Sequence, residues 1–263
     1  MVLIAICLTL LLLTATVSLY SGFVFLTRHH MSHYSWLAVG LLLLIAIVEI
    51  SLLLRLRMSV AIRASYWNKL ALTDTGQLTY VALGDSAAQG IGASKASLGY
   101  VALVAKTIEQ SSGKSVRVIN ISQSGAKLQD VIHDQLPQLQ KLHPNIITVD
   151  IGANDIADGT PTVQMLAEYQ QITTSLAGYK VVFASLPDFM WGTQQAETLK
   201  LNKTIKLLCE QSGLQYADLY TATHAKMWSW NEFAADGFHP SNAGHLTWAS
   251  SFKPGVEKIL SKS

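Results

Sequence analysis

The sequence predicts an α/β protein, a parallel sheet covered on both faces by helices, preceded by two apolar segments. Three observations predict it. Short apolar runs alternate with helix-length amphipathic stretches from Gln77 onward, the pattern of repeated βα units. The chemically distinctive residues fall just after those runs, where ligands bind in such sheets. The two longest apolar stretches lie in the first 54 residues, outside the alternating part.

Residues 2–26 are almost all apolar, and Trp36–Leu54 is a second apolar run broken only by Glu49. Each is long enough to cross a hydrocarbon core of roughly 30 Å as a helix. A cleaved signal peptide fits the first less well, since a basic n-region and a small-x-small cleavage site are missing. Residues 1–54 are therefore expected to form a transmembrane helical hairpin. Glu49 would then pack against Ser or Thr of the first helix. Residues 55–76 read as a juxtamembrane connector whose Arg side chains, with Tyr66 and Trp67, suit a headgroup region. An ordinary solvated linker helix fits that stretch equally.

The alternating part, 77–263, reads in order. Leu78–Leu83 is a strand ending in Gly-Asp-Ser, and Tyr100–Gln110 has helical spacing. Val116–Ile121 is a strand, then Lys127–Leu142 a helix interrupted at Pro137. Ile146–Ile151 and Lys180–Leu186 are strands, each followed by a helix, Thr162–Leu176 and Gln194–Gln211. Leu214–Leu219 is a fifth strand and Ala243–Leu260 a closing helix.

Charge separates the two parts. Before residue 70 stand Arg28, Arg55, Arg57, Arg63 and Lys69 against Glu49, a net of +4, and the remainder carries −2. The soluble part offers no basic footprint for nucleic acid. The Thr27–Ser35 connection holds one Arg, whereas four basic residues follow the second apolar run. The positive-inside tendency then puts both termini and the C-terminal domain in the cytoplasm. With one Cys in a span and Cys209 beyond it, no disulfide framework is implied.

Ser86 follows the first strand directly. A serine there is exposed at the strand end, although it equally suits capping the next helix. A dinucleotide-binding turn fits poorly, because Lys95 stands where Gly90-Ile91-Gly92 would require a third glycine. Serine needs a base to become a nucleophile. Of eight histidines, His29, His30 and His33 lie in the hairpin loop at no recognised metal-ligand spacing, and His133 and His143 belong to a helix and its end. His224 and His245 lack an acid at suitable spacing. His239 alone has a carboxylate, Asp236, three residues earlier, able to fix the ring's tautomer. Gly125 and Asn154 follow the second and third strands. A glycine N–H and an amide, with the Ser86 N–H, make a three-donor oxyanion hole. Asp85 and Asp155 read as braces for their turns.

The blocks Gly84-Asp85-Ser86-Ala87-Ala88-Gln89-Gly90, Asn120-Ile121-Ser122-Gln123-Ser124-Gly125, Gly152-Ala153-Asn154-Asp155 and Asp236-Gly237-Phe238-His239-Pro240 resemble those of the SGNH hydrolases, or GDSL esterases and lipases, over roughly Tyr80 to Trp248. The resemblance implies a three-layer α/β/α flavodoxin-like parallel sheet (the SGNH hydrolase fold) over 77–263. It implies Ser86 as nucleophile, His239 as base, Asp236 as orienting acid, and Ser86, Gly125 and Asn154 as oxyanion donors. No cofactor and no metal are expected. The expected activity is a membrane-anchored serine esterase acting on carboxylic esters, with lipid or lysophospholipid acyl esters favoured over a carbohydrate O-acetyl ester or a thioester. A non-catalytic membrane ligand-binding protein is the reading of another class. Loops Phe189–Gln195 and Ser229–Ala235 carry Trp and Phe residues suited to lining an acyl pocket or, equally, to packing alone. Because every block lies beyond it, a cut after residue 70 is expected to leave an active domain.

Overall fold

Helix α1 runs from His33 to Thr73 in the computed structural model, which describes residues 33–188, 195–226 and 229–261. Two units are distinguished, Met1–Arg57 and Met58–Ser263. Among the described residues no helix is long and apolar enough to cross a membrane. The first expected span, the hairpin loop up to residue 32 and the side chains of residues 33–39 lie outside the described residues. The expected membrane hairpin is therefore not supported by the described part of the chain. What is described is an apolar stretch with Leu41, Leu44, Ile47, Val48 and Leu54 exposed.

The second unit begins with the last turns of α1. Here the helix has two faces: Arg63 and Trp67 are buried and Leu70 and Ala71 half-buried, whereas Met58, Ile62, Tyr66 and Leu72 are exposed. That spacing is a single helical stripe. Asp74 follows, and its Oδ2 accepts from the N–H of Val118 at 2.8 Å. Arg117 Nη2 donates to Ala71 O at 3.1 Å. The stretch expected as a juxtamembrane connector or solvated linker helix is thus fastened to the domain along this face.

The sheet is parallel throughout. Strand β1 (Leu78–Gly84) is followed by the short helix α2 (Ser86–Gln89) and by α3 (Tyr100–Ser112), then β2 (Val116–Asn120). Helical geometry from Leu128 to Leu142 is broken into α4 (Leu128–Asp130), a π turn, a 3-10 turn at Leu136–Gln138 and α5 (Leu139–Leu142). Pro137 explains part of the break, since it has no N–H to donate and crowds the preceding turn. Next come β3 (Ile146–Asp150), α6 (Ala153–Ala157), α7 (Thr162–Ser175), β4 (Val181–Ala184) and α8 (Gln195–Gln211). The chain ends with β5 (Gln215–Ala217), α9 (Leu219–His224) and α10 (Asn242–Leu260).

Strand order is β2-β1-β3-β4-β5, every neighbour parallel. Alternation within the strands sends side chains to two cores. Val81 and Leu83 face α7 and α8 through Met165, Tyr169, Ile172, Leu201 and Ile205. Tyr80 and Ala82 face α3 and α10 through Tyr100, Val104, Trp248 and Phe252, and Trp67 of α1 joins this side. The three layers follow, and the expected doubly covered sheet is found. The order reverses between β1 and β3, and the crevice beyond such a reversal is where ligands bind in open α/β sheets.

Candidate active site

At the carboxyl end of β1 the chain turns sharply. Gly84 has φ +149°, and a Cβ there would lie 2.3 Å from the carbonyl oxygen of Asp150 on β3. Only glycine permits that approach. The buried Gln135 side chain braces the same residue from both sides, accepting from Gly84 N–H through Oε1 at 2.8 Å and donating to Gly84 O through Nε2 at 2.8 Å. Asp85 caps α2 by accepting from Ala87 N–H at 2.9 Å. Ser86 is thereby held at the first position of α2, 6% exposed.

The loop before α10 supplies the partner. Asp236 Oδ1 accepts from the N–H groups of Phe238 and His239, both at 3.0 Å. Its Oδ2 lies 2.5 Å from His239 Nδ1. His239 Nε2 lies 2.8 Å from Ser86 Oγ, closing a contact between residues 153 positions apart. An ionised Asp236 can only accept, so Nδ1 carries the proton and Nε2 is left to accept from the serine hydroxyl. Burial pushes the Asp236 carboxyl upward. The hydrogen bond and charge of His239 and the two backbone donors together outweigh it, and the group sits below its ordinary value. Ser241 ends the loop by capping α10, accepting from Ala243 and Gly244.

The remaining blocks meet at Asn154. Its Nδ2 donates to Ala126 O at 2.9 Å and to Asp85 Oδ2 at 3.3 Å. It therefore ties the Gly125–Ala126 turn to the residue preceding Ser86. Gly125 has φ +84° with nothing within 4 Å of where a Cβ would stand. Gly152 has φ +109°, and a Cβ would come within 2.0 Å of the Tyr169 hydroxyl, so glycine there sets how Asn154 enters α6. Asp155 Oδ2 accepts from Leu128 N–H at 3.1 Å. Burial is the chief cause that pushes its carboxyl up to about 6. Burial also raises Asp85 and Asp150, and for Asp85 the Asp150 charge adds to it. Trp248 Nε1 donates to Asp150 Oδ2 at 3.1 Å.

All five residues singled out from the sequence, Ser86, Gly125, Asn154, Asp236 and His239, thus fall on the carboxyl side of the sheet. One expectation about the other histidines needs correction, and it concerns His224. His224 does have an acid: its Nδ1 lies 2.7 Å from Oδ2 of buried Asp188, 36 positions away, a pairing that local spacing cannot reveal. His245, fully buried, accepts from Tyr100 N–H through Nδ1 at 3.2 Å and bonds Ile91 O through Nε2 at 3.0 Å. Burial pushes its imidazole down to about 4. Residues 189–194 of the first loop expected to carry an acyl pocket lie outside the described residues. Among the described residues no group of three His, Cys, Asp or Glu is placed to hold a metal.

The sequence matches the GDSL-like lipase/acylhydrolase family over residues 82–246. No curated protein matches it. Among solved structures it is similar to TesA, with 21% identity and a TM-score of 0.61, covering 69% of this chain and 99% of that one. It is similar too to Axe2, an acetylxylan esterase from Geobacillus stearothermophilus, at 19% identity and TM-score 0.55 over 68% of this chain and 94% of that one. The lipase Lip_vut3 from a goat rumen metagenome gives 18% identity and TM-score 0.55 over 68% and 97%. Likeness at these identities speaks for the fold, while the family match spans more than half the chain. The protein belongs to the GDSL-like lipase/acylhydrolase family and is an ester-hydrolysing enzyme.

Proposed function

We propose that the chain is a membrane-anchored serine esterase that works through Ser86, His239 and Asp236. The observation that carries the reading is the 2.8 Å approach of His239 Nε2 to Ser86 Oγ, with Asp236 on the other ring nitrogen. In the first step Ser86 Oγ attacks the ester carbonyl as its proton passes to His239 Nε2. Asp236 holds the ring's tautomer and stabilises the imidazolium. Oxygen negative charge in the tetrahedral intermediate is met by the N–H groups of Ser86 and Gly125 and by Asn154 Nδ2. Asn154 keeps its shorter bond to Ala126 and gives up the longer one to Asp85. Each such donor is typically worth ~3 kcal/mol in the transition state. Collapse breaks the ester C–O bond, His239 returns the proton to the leaving alcohol, and an acyl-Ser86 remains. Water then attacks with His239 again as base, releasing the acid and regenerating the serine.

Lipid or lysophospholipid acyl esters are the favoured substrates, because an anchored enzyme has its site beside a bilayer. The exposed apolar side chains between Leu41 and Leu54 support an anchor, since so many exposed leucines and isoleucines in one helix fit a hydrocarbon environment. The domain is placed in the cytoplasm on the basic residues after that stretch. Arg55, Arg57 and Lys69 are exposed and free to serve that bias, whereas Arg63 is buried in the domain.

The test is hydrolysis of p-nitrophenyl esters of increasing acyl length by the full chain and by Ser86→Ala. Turnover that rises with chain length and vanishes in the variant supports the lipid reading. A preference for acetate moves the substrate to small O-acyl groups, and hydrolysis by Ser86→Ala overturns the mechanism.

A further inference from the structure

The turn that follows the nucleophile is held from outside the family's own blocks. Arg63, 8% exposed, donates through Nε to Gly90 O at 3.3 Å and through Nη2 to Ala93 O at 2.6 Å. One turn further along α1, Trp67 Nε1 donates to Gln89 O at 3.0 Å. Three carbonyls of a five-residue segment, Gln89 to Ala93, are thus bonded by two buried side chains. Among the described residues no carboxylate pairs with Arg63. Its guanidinium, whose fork of donors suits several acceptors at once, is spent on backbone oxygens.

The far side of the same segment touches the rest of the site. Ile91 N–H donates to Ser86 O at 3.0 Å. A Cβ on Gly92 would stand 2.2 Å from Pro240 O and 3.2 Å from His239 Cβ, so the turn lies directly against the base. Ile91 O takes the His245 ring and Ser94 N–H donates to Asn242 Oδ1 at 2.8 Å. Gln89, whose carbonyl Trp67 holds, donates its amide to Ser122 O at 2.9 Å and accepts from Ser124 Oγ at 2.6 Å. Ser124 immediately precedes Gly125.

We infer that Arg63 and Trp67 are positioning residues for ester hydrolysis: α1 clamps the Gln89–Ala93 turn, which in turn fixes Ser86 against His239 and the Gly125 loop. The segment between the apolar stretch and the sheet is therefore part of the working enzyme. A cut after residue 70, which leaves all four blocks in place, removes both clamps. The inference rests on the Ser86 mechanism proposed above.

Arg63→Met, Arg63→Lys and Trp67→Phe in the full chain test it, with Ser86→Ala alongside. Turnover is counted per site titrated with a fluorophosphonate, so that misfolded protein drops out. Displacement of reacting groups by a fraction of an ångström is expected to lower kcat roughly 10-fold or more with KM little changed. Arg63→Lys, able to reach one carbonyl, is expected between Arg63→Met and wild type. Trp67→Phe keeps the ring's packing and removes only the N–H, so it carries the test where Arg63→Met fails to fold. Wild-type kcat per titrated site in Trp67→Phe and the Arg63 variants, whatever their Tm, overturns the inference while an inactive Ser86→Ala leaves the mechanism standing. Hydrolysis by Ser86→Ala overturns both.

Discussion

At the scale of single residues, activity is expected to divide unequally among Asp236, His239 and Asn154. His239→Ala is expected to remove nearly all esterase activity, because nucleophile and base act as one unit and losing either costs about as much as losing both. Asp236→Ala is expected to retain more, since of the two ring nitrogens Asp236 bonds the one remote from Ser86. Steady-state kinetics on one ester decide the order, and equal losses in the two variants contradict it. Asn154→Ala is expected to lower kcat by about 10²-fold or more with little change in KM, because an oxyanion donor binds the transition state better than the ground state. An effect confined to KM makes Asn154 a substrate-positioning group instead. Its bond to Ala126 means that part of the loss is looser placement of the Gly125 turn, which Asn154→Gln would not restore.

Among elements, α10 offers a test through pH. His245 is buried and neutral, with its imidazole pushed down from 6.5 to about 4. In the unfolded chain the same ring takes up a proton as pH falls below 6.5, and the folded ring does not until about 4. Stability from this group is thus present at neutral pH and lost as pH falls through that window. The shift is worth about 3 kcal/mol at its limit. His245→Gln cannot titrate there, so the stability gap between wild type and variant is expected to shrink from pH 7 to pH 4.5. Urea midpoints across that range measure it, and a constant gap contradicts it.

Legibility differs from element to element. The five strands are readable because each is an apolar run bounded by turn residues, and the Asp236–His239 pair because both members stand in one loop. The ends of β4 and β5 are not, since Leu186 and Leu219 extend the apolar pattern past Ser185 and Asp218 while the ladder stops at Ala184 and Ala217. Gln135 and the Asp188–His224 pair left no local signal, their partners lying 51 and 36 positions away. The docking face of α1 is hidden for a different reason. An arginine and a tryptophan after an apolar stretch look like interfacial anchors, and only the fold reveals carbonyls waiting for their N–H groups.

For the whole molecule, the first claim to test is orientation. Three exposed basic residues, Arg55, Arg57 and Lys69, stand against Arg28 alone in the Thr27–Ser35 connection, so a fluorescent protein fused to the C-terminus is expected to glow and an alkaline phosphatase fusion to be inactive. Active phosphatase with a dark fluorescent fusion moves the domain, and its substrates, to the exported side. The serine chemistry is independent of that outcome. Its most direct measurement is the intact mass of the full chain after fluorophosphonate treatment, with the adduct mapped by peptide sequencing. One adduct per chain is expected, on Ser86, absent in Ser86→Ala and strongly slowed in His239→Ala. An adduct on another residue, or labelling that survives Ser86→Ala, contradicts it.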